Sequence, residues 1–237
     1  MRLLFFTSWL VCLSSALAQS ETRLLSGWTL HIHAMTDRNA LGKALPLLRA
    51  QLDEIVRVVP AKAVVELQKV PLWIHPEYPN THPRAEYHPG AGWLRENGRD
   101  PSMAKGVEFT NIRIFEEETR RMPNFALHEL AHAYHDRVLG FDHPDILTAH
   151  EKAQAAGIYN RVERQDSQGR RKFERAYALM NAKEYFAECS EAFFSRNDFF
   201  PYTREELQRH DPAMFELLAK LWCVREGEEL GKKQTGN

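Results

Sequence analysis

Hydrophobic and polar residues alternate in three short segments of the first half of the chain. This period of two predicts β-strands at residues 28–33, 70–75 and 106–115. Elsewhere apolar residues recur at helical spacing, and the helices that this spacing predicts are 39–59, 124–139, 145–156, 181–196 and 212–224. Because the strands come first and the helices follow, the pattern predicts an α+β fold with a small N-terminal sheet and a helical C-terminal part.

Three other segments have patterns of their own. Residues 75–92 are rich in proline, histidine and tyrosine and are expected to form an irregular loop. Residues 159–177 contain two polar, strand-like arms around an Asp-Ser-Gln-Gly turn at 166–169, which is typical of a hairpin. The last residues, 226–237, are polar and are expected to be frayed.

The first 18 residues have the layout of a secretory signal peptide. Arg2 supplies the positive start, residues 3–13 are mostly apolar, and Ala-Leu-Ala at 16–18 resembles a cleavage site. We therefore expect an exported protein, periplasmic or extracellular, in which residues 19–237 form a single domain. A retained membrane anchor is the alternative.

Composition and charge narrow the classes of function. The net charge is −1 and 43% of the residues are hydrophobic, which is ordinary for a globular protein and gives no electrostatic reason to expect a nucleic-acid partner. After the leader no segment reaches the roughly 18 apolar residues of a membrane-spanning helix. Cys189 and Cys223 could form a disulfide after export, although two buried free thiols fit their apolar surroundings as well.

The sequence His-Glu-Leu-Ala-His at residues 128–132 carries the most chemical information. The segment is compatible with a helix that Asn124 caps, and on a helix residues four apart lie on the same face. His128 and His132 could therefore bind one Zn²⁺. Glu129 would be placed to accept a proton from a water that the metal activates. Chance also produces this pentapeptide, so a third ligand is needed before it indicates a catalytic site.

Two positions near the HExxH motif could in principle supply a histidine as the third ligand. The metzincin spacing requires a histidine at position 138, which is a valine. His135 lies too far along the same helix to meet an ion between His128 and His132. The third ligand is therefore sought outside the HExxH helix.

The predicted helix 181–196 carries Glu184, Glu188 and Glu191 along one side of an otherwise aromatic surface. Like charges at this spacing repel each other, and a bound cation would compensate them. The residues themselves leave either Glu184 or Glu188 as the third ligand. Alternatively, Glu184 helps Asn181 to cap the helix and the other two acids are solvated.

An HExxH motif followed by a glutamate on a later helix resembles the gluzincin pattern of zinc metallopeptidases. The stretch Asn-Ala-Lys-Glu-Tyr-Phe-Ala-Glu at 181–188 is similar to the zinc-ligand helix of the anthrax lethal factor catalytic domain and its relatives. The resemblance covers residues 125–136 and 177–194. It implies a zincin-like domain in which Glu184 is the third ligand and Tyr177 assists at the metal.

These observations together predict a secreted, zinc-dependent metallopeptidase with one Zn²⁺ per chain and a peptide or protein substrate. Glu129 would act as general base, and Tyr177 would help to stabilise the oxyanion. Asp136 and Glu188, each four residues after a ligand, are expected to orient the ligands. The alternatives are a catalytically inactive zincin-fold binding module and a zinc hydrolase of a non-peptide amide such as a cell-wall linkage.

The strand at 106–115 precedes the metal helix. In zincins a strand at this place commonly lines the cleft, and an exposed edge there would bind an extended peptide by strand addition. An ordinary interior strand fits the sequence equally well.

Overall fold

The computed structural model describes residues 20–224. The predicted signal peptide, 1–18, and the predicted frayed tail, 226–237, lie outside the described residues. Within residues 20–224, no helix combines the length and the apolar character that crossing a membrane requires.

A mixed five-stranded sheet forms the N-terminal half of the fold. Its strands are β1 (Glu21–Leu25), β2 (Trp28–Ile32), β3 (Leu72–Ile74), β4 (Ala85–Tyr87) and β5 (Val107–Phe109). They lie in the order β1-β2-β3-β5-β4, with β2, β3 and β5 parallel to one another. The strands at the two ends, β1 and β4, run antiparallel to their neighbours. Strand β4 is therefore one edge of the sheet.

Nine α-helices complete the part of the fold that the structure describes, and those from Phe125 onward make up most of its C-terminal half. The nine are α1 (Arg38–Val58), α2 (Ala61–Leu67), α3 (Ala91–Glu96), α4 (Phe115–Arg121), α5 (Phe125–Tyr134), α6 (Pro144–Ala156), α7 (Ala182–Phe194), α8 (Arg204–His210) and α9 (Pro212–Leu221). A separate antiparallel hairpin, β6 (Val162–Gln165) and β7 (Arg171–Glu174), lies between α6 and α7. The predicted α+β architecture is confirmed.

Alternation along β2 explains which face of the sheet is buried. Trp28, Leu30 and Ile32 are almost completely buried, whereas the side chains between them are not. The indole of Trp28 also donates a hydrogen bond to the carbonyl of Leu67 at 2.9 Å, which satisfies its only polar atom in the core. Since α1 follows β2 and α2 follows α1, this contact fixes the first helical layer against the sheet.

Helix α5 begins where the sequence predicts. The side chain of Asn124 accepts a hydrogen bond from the backbone N–H of Leu127 at 3.0 Å, and it donates to the carbonyl of Gln51 in α1 at 3.0 Å. The cap therefore joins two helices as well as satisfying a free N–H group. A π-helical turn, His135–Leu139, extends the helix, and Gly140 ends it at a φ of 87° that glycine adopts readily.

Residues 106–115 and 75–92 are among the parts of the chain that differ from the sequence-based prediction. The strand predicted at 106–115 is only three residues long, because Asn111 to Ile114 turn the chain into α4. Strand β5 lies between β3 and β4, so it is the interior strand of the two alternatives and not an edge. The segment 75–92, expected to be irregular, contains the edge strand β4.

The two cysteines of the described part of the chain are both free. Cys189 is buried, as expected from its apolar surroundings. Cys223 is exposed and lies just beyond α9 at a φ of 58°, so the alternative of two buried thiols is wrong for this residue.

We predict that Asn124→Ala lowers the free energy of unfolding by about 2 kcal/mol, because it removes an N-cap and leaves buried groups of α1 and α5 without partners. Urea unfolding of both proteins measures the difference. Asn39→Ala, at an exposed position in the first turn of α1, is the control and should change the value by less than about 0.5 kcal/mol. An equal effect of both substitutions would show that the cap is not important.

Candidate metal centre

Helices α5 and α7 bring three donor atoms to one point. His128 and His132 lie on the same face of α5, and their Nε2 atoms are 3.1 Å apart. Glu184 lies in the first turn of α7, and its Oε2 is 3.2 Å from Nε2 of His128 and 3.1 Å from Nε2 of His132. These are the three metal ligands predicted from the sequence and the resemblance together.

The three donors fit a zinc ion. With bonds of about 2.0–2.1 Å and a tetrahedral arrangement, neighbouring donor atoms are about 3.3–3.4 Å apart. The observed separations of 3.1–3.2 Å are close to this value. Two imidazoles and one carboxylate are also a donor set that zinc accepts in catalytic sites, where the fourth position is left to water or substrate.

The charges of the cluster depend on one another. Burial by itself raises the pKa of Glu184, but the hydrogen bonds with His128 and His132 outweigh burial and hold the pKa well below its ordinary value. Burial lowers the pKa of His128, yet its contacts with Glu184 and Glu191 leave it well above the ordinary value. The ionised carboxylate of Glu184 is the form that binds a cation, and a metal ion would have to displace the proton that the raised pKa keeps on His128.

Glu191 orients His128. Nδ1 of His128 donates to Oε2 of Glu191 at 2.8 Å, and Glu191 is completely buried. A proton held on Nδ1 leaves the lone pair of Nε2 facing Glu184 and His132. Glu188, the residue expected in this role, lies farther away, with its Oε1 at 3.9 Å from the same nitrogen. The reason is helical geometry, since Glu191 lies nearly one turn farther along α7 than Glu188.

Glu188 has other surroundings. Its Oε2 accepts a hydrogen bond from the amide of Asn197 at 3.0 Å. Burial, reinforced by the nearby carboxylates of Asp198 and Glu191, raises the pKa of Glu188 to about 8. His128, Glu188 and Glu191 also form a second group of donor atoms close to one another. Because Nδ1 of His128 is already bonded to Glu191, we interpret this group as support for the metal ligands.

Asp136 contacts neither imidazole ligand. Its Oδ2 accepts hydrogen bonds from the hydroxyl of Tyr87 at 2.6 Å and from Nζ of Lys105 at 2.5 Å. It lies in the π-helical turn, where the helix is wound differently from α5, so a position four residues after His132 does not place it behind that ring. Asp136 instead fastens the end of the metal helix to edge strand β4.

The backbone of β4 holds Glu129 beside the three donor atoms of His128, His132 and Glu184. Its Oε2 accepts a hydrogen bond from the backbone N–H of Tyr87 at 2.8 Å. Burial raises the pKa of Glu129, while the positive charge of the neighbouring His128 and His132 lowers it. A carboxylate with one oxygen fixed and the other free is suited to accept a proton beside the cluster. No side-chain motif signals this contact, since the donor is a main-chain group.

Tyr177 lies at the rim of the same region. It begins a short 3₁₀ turn before α7, its side chain is 43% exposed, and it lines both cavities described below. Burial and the nearby carboxylate of Glu184 raise its pKa. The phenol therefore remains protonated at neutral pH and can donate a hydrogen bond.

Two cavities meet at the cluster. The metal-side cavity has a volume of about 260 Å³ and includes His132 and Glu184. The side pocket has a volume of about 280 Å³ and includes Glu188. Both are lined by Arg84, Ala85, His128, Glu129 and Tyr177. The three donors, Glu129 and edge strand β4 therefore border one continuous cleft.

His135 is not a ligand in this arrangement. It is completely buried, and neither ring nitrogen has a hydrogen-bond partner among the described residues. Its ring packs against Phe141 and Phe186 at centroid distances of 5.2 and 4.9 Å. Burial lowers its pKa to about 4, so His135 is a neutral core residue at physiological pH.

Comparisons with known proteins add one similarity. No protein-family model and no curated protein sequence matches this chain. The structure of a Pro-Pro endopeptidase from Paenibacillus alvei is similar to it, with 15% sequence identity and a TM-score of 0.45, over 81% of this chain and 95% of that one. The function proposed below rests on the side chains of the site and on their distances.

We predict that Glu191→Gln weakens zinc binding by about 10–100-fold, because a neutral amide no longer favours the tautomer in which Nε2 of His128 faces the metal. Competition with a chromogenic chelator gives the affinity. Glu205→Gln changes an exposed acid of α8 and should leave the affinity unchanged. Equal affinities of the Glu191 variant and the unchanged protein would exclude an orienting role.

Proposed function

We propose that this protein is a zinc-dependent peptidase of the gluzincin type, in which His128, His132 and Glu184 hold one Zn²⁺. One observation carries the proposal, namely that these three side chains converge from two helices on a single point beside Glu129. The cleft that runs past this point along edge strand β4 supports a peptide substrate, because an extended chain can add to those backbone groups of the edge that Glu129 does not occupy.

When bound, a zinc ion polarises a carbonyl group and lowers the pKa of a coordinated water. The remaining chemistry belongs to residues of the chain. Glu129 accepts a proton from the attacking water through its free oxygen and then passes it to the nitrogen of the leaving amine. The N–H of Tyr87 keeps the carboxylate of Glu129 in place during both transfers.

Tyr177 acts on the oxygen of the reacting carbonyl. Its phenol donates a hydrogen bond to the oxygen on which negative charge develops as water adds. The raised pKa keeps the proton on the phenol, so the group is a donor throughout the working pH range. Glu191 holds the ring of His128 still, which limits the movement of the ligand set.

We also propose that the protein works outside the cytoplasm, on the basis of the leader-like composition of residues 1–18. The free Cys189 and Cys223 are compatible with this, since the described part of the fold does not depend on a disulfide.

We predict that Glu129→Gln abolishes peptide cleavage, with a loss of about 10²–10⁴-fold in kcat, while both proteins retain about one zinc per chain. The amide keeps the size of the side chain and the contact with Tyr87 but cannot accept the proton. Mass spectrometry of a diverse peptide mixture measures cleavage, and metal analysis measures zinc.

Three results would contradict this assignment in different ways. Unchanged cleavage by the Glu129 variant would remove Glu129 from the mechanism. Bound zinc without cleavage of any peptide by the unchanged protein would favour a binding module. Release of amines from cell-wall material alone would identify a different amide as the substrate.

We predict that Tyr177→Phe lowers kcat by about 10²-fold and leaves KM and zinc content nearly unchanged, because the phenol contributes in the transition state and is not one of the three metal ligands. Steady-state kinetics on one cleaved peptide separates kcat from KM. A rise in KM at constant kcat would instead make Tyr177 a substrate-binding residue.

A further inference from the structure

The side pocket is lined by Glu188, one of whose carboxyl oxygens has no hydrogen-bond partner among the described residues. Glu188 lines this pocket and is 3% exposed. Its Oε2 is bonded to Asn197, but its Oε1 has no hydrogen-bond donor among the residues that the structure describes. The nearest nitrogen, Nδ1 of His128 at 3.9 Å, already donates to Glu191. A ligand in the pocket would therefore meet a carboxyl oxygen of Glu188 that no described residue binds.

The arginines around the pocket already have partners of their own. Oδ2 of Asp198 accepts hydrogen bonds from Arg121 at 2.7 Å and from Arg164 at 3.0 Å. Each of these guanidinium groups also binds a second carboxylate, Glu118 for Arg121 and Glu174 for Arg164. The pocket arginines therefore leave no unpaired positive charge for an acidic ligand.

A third arginine, Arg84, stands at the mouth of the pocket and is paired with Glu86 at 3.0 Å. Glu188 and the neighbouring Glu191 have no arginine or lysine within ion-pair distance among the described residues, and the basic group that both of them face is His128. The local electrostatics thus favours a cation over an anion.

The rest of the pocket suits a long side chain. Its walls include the apolar side chains of Met122, Phe125 and Phe199, and its volume is about 280 Å³. Lysine and arginine combine an apolar stem with a charged end, so the stem would lie along these walls and the end would reach Glu188. The pocket opens beside Glu129 and Tyr177, next to the proposed reaction centre.

We propose that the side pocket binds a lysine or arginine side chain of the substrate adjacent to the cleaved bond, and that Glu188 determines this specificity. The assignment of the side chain to a substrate rests on the proposed peptidase function. The proposed preference for a cation rests on the contacts of the pocket residues, and binding measurements can test it without catalysis.

The first experiment measures binding. Ligand-observed NMR compares Nα-acetyl-lysine methylamide with the norleucine and glutamate methylamides, using the full chain loaded with zinc. Norleucine has a similar stem without the ammonium group. We expect the lysine compound to bind about tenfold more tightly than the other two, because its ammonium group makes charge-assisted hydrogen bonds. Equal binding of the lysine and norleucine compounds, no binding of either, or tighter binding of the glutamate compound would overturn the proposal.

Substitutions then test whether Glu188 is the residue that binds the ammonium group. Glu188→Gln should reduce the tenfold difference to less than about twofold, because it removes the charge and keeps the size. Glu216→Gln removes one exposed acid of α9 and is the matched control for net charge. The preference of the unchanged protein decides the proposal even if the Glu188 variant folds poorly. A Glu188 variant that folds and keeps the preference would overturn the role of Glu188.

The second experiment measures cleavage. Sequencing of the products from a proteome-derived peptide mixture should show lysine and arginine enriched at one position beside the cleaved bond. A binding preference without any cleavage would leave the pocket assignment intact and contradict the proposed peptidase function. Cleavage without enrichment of basic residues would support the peptidase and overturn the specificity.

Discussion

Helices α5 and α7 are joined by buried contacts between histidine and glutamate, and the rest of the site depends on this contact. His128 is bonded on one side to Glu184 and on the other to Glu191, both from α7. The two acids lie seven residues apart, so the ring is held by two successive turns of the facing helix. This double attachment fixes both the separation and the rotation of the helices, because a shift of either one would break one of the two bonds.

Placing three carboxylates in one row of α7 is energetically costly without a bound cation. The carboxylates of Glu184, Glu188 and Glu191 all lie in one turn-to-turn row of α7, and two of them are almost completely buried. Buried like charges repel strongly, and proteins respond by shifting the pKa or by binding a counter-ion. The first response is visible here, since burial and the nearby carboxylates raise the pKa of Glu188 to about 8 while two imidazoles hold that of Glu184 low. The row of acids on α7 therefore supports the proposed metal site.

The parts of this architecture that could be predicted from the sequence are those that repeat a local pattern. Helix α5 and its cap at Asn124 follow from helical spacing and a known capping residue, and α7 follows in the same way from Asn181. Short elements were missed because three residues of strand carry too little pattern, as in β4. The strand predicted at 106–115 ends at the first residue of α4, since the apolar residues of this segment do not reveal where the chain turns.

In the candidate site, too, only the features that follow a local pattern could be predicted. The sequence and the resemblance brought together His128, His132 and Glu184, and the structure places their donor atoms 3.1–3.2 Å apart. The choice between Glu188 and Glu191 as the partner of His128 depends on how far α7 is rotated against α5, and spacing along one helix does not contain that angle. The bond from the backbone of Tyr87 to Glu129 leaves no trace in side-chain chemistry.

That backbone bond also explains why edge strand β4 and helix α5 belong to one unit. Strand β4 pairs with β5 through the flanking residues Arg84 and His88, so the N–H of Tyr87 faces away from the sheet. It donates to Glu129, while the hydroxyl of the same residue donates to Asp136 farther along the helix. Two bonds from one residue therefore set the distance between the open strand edge and the base. A peptide that adds to this edge would reach Glu129 at a fixed position, because a single segment would hold both the peptide and the carboxylate proposed to accept the proton of the attacking water.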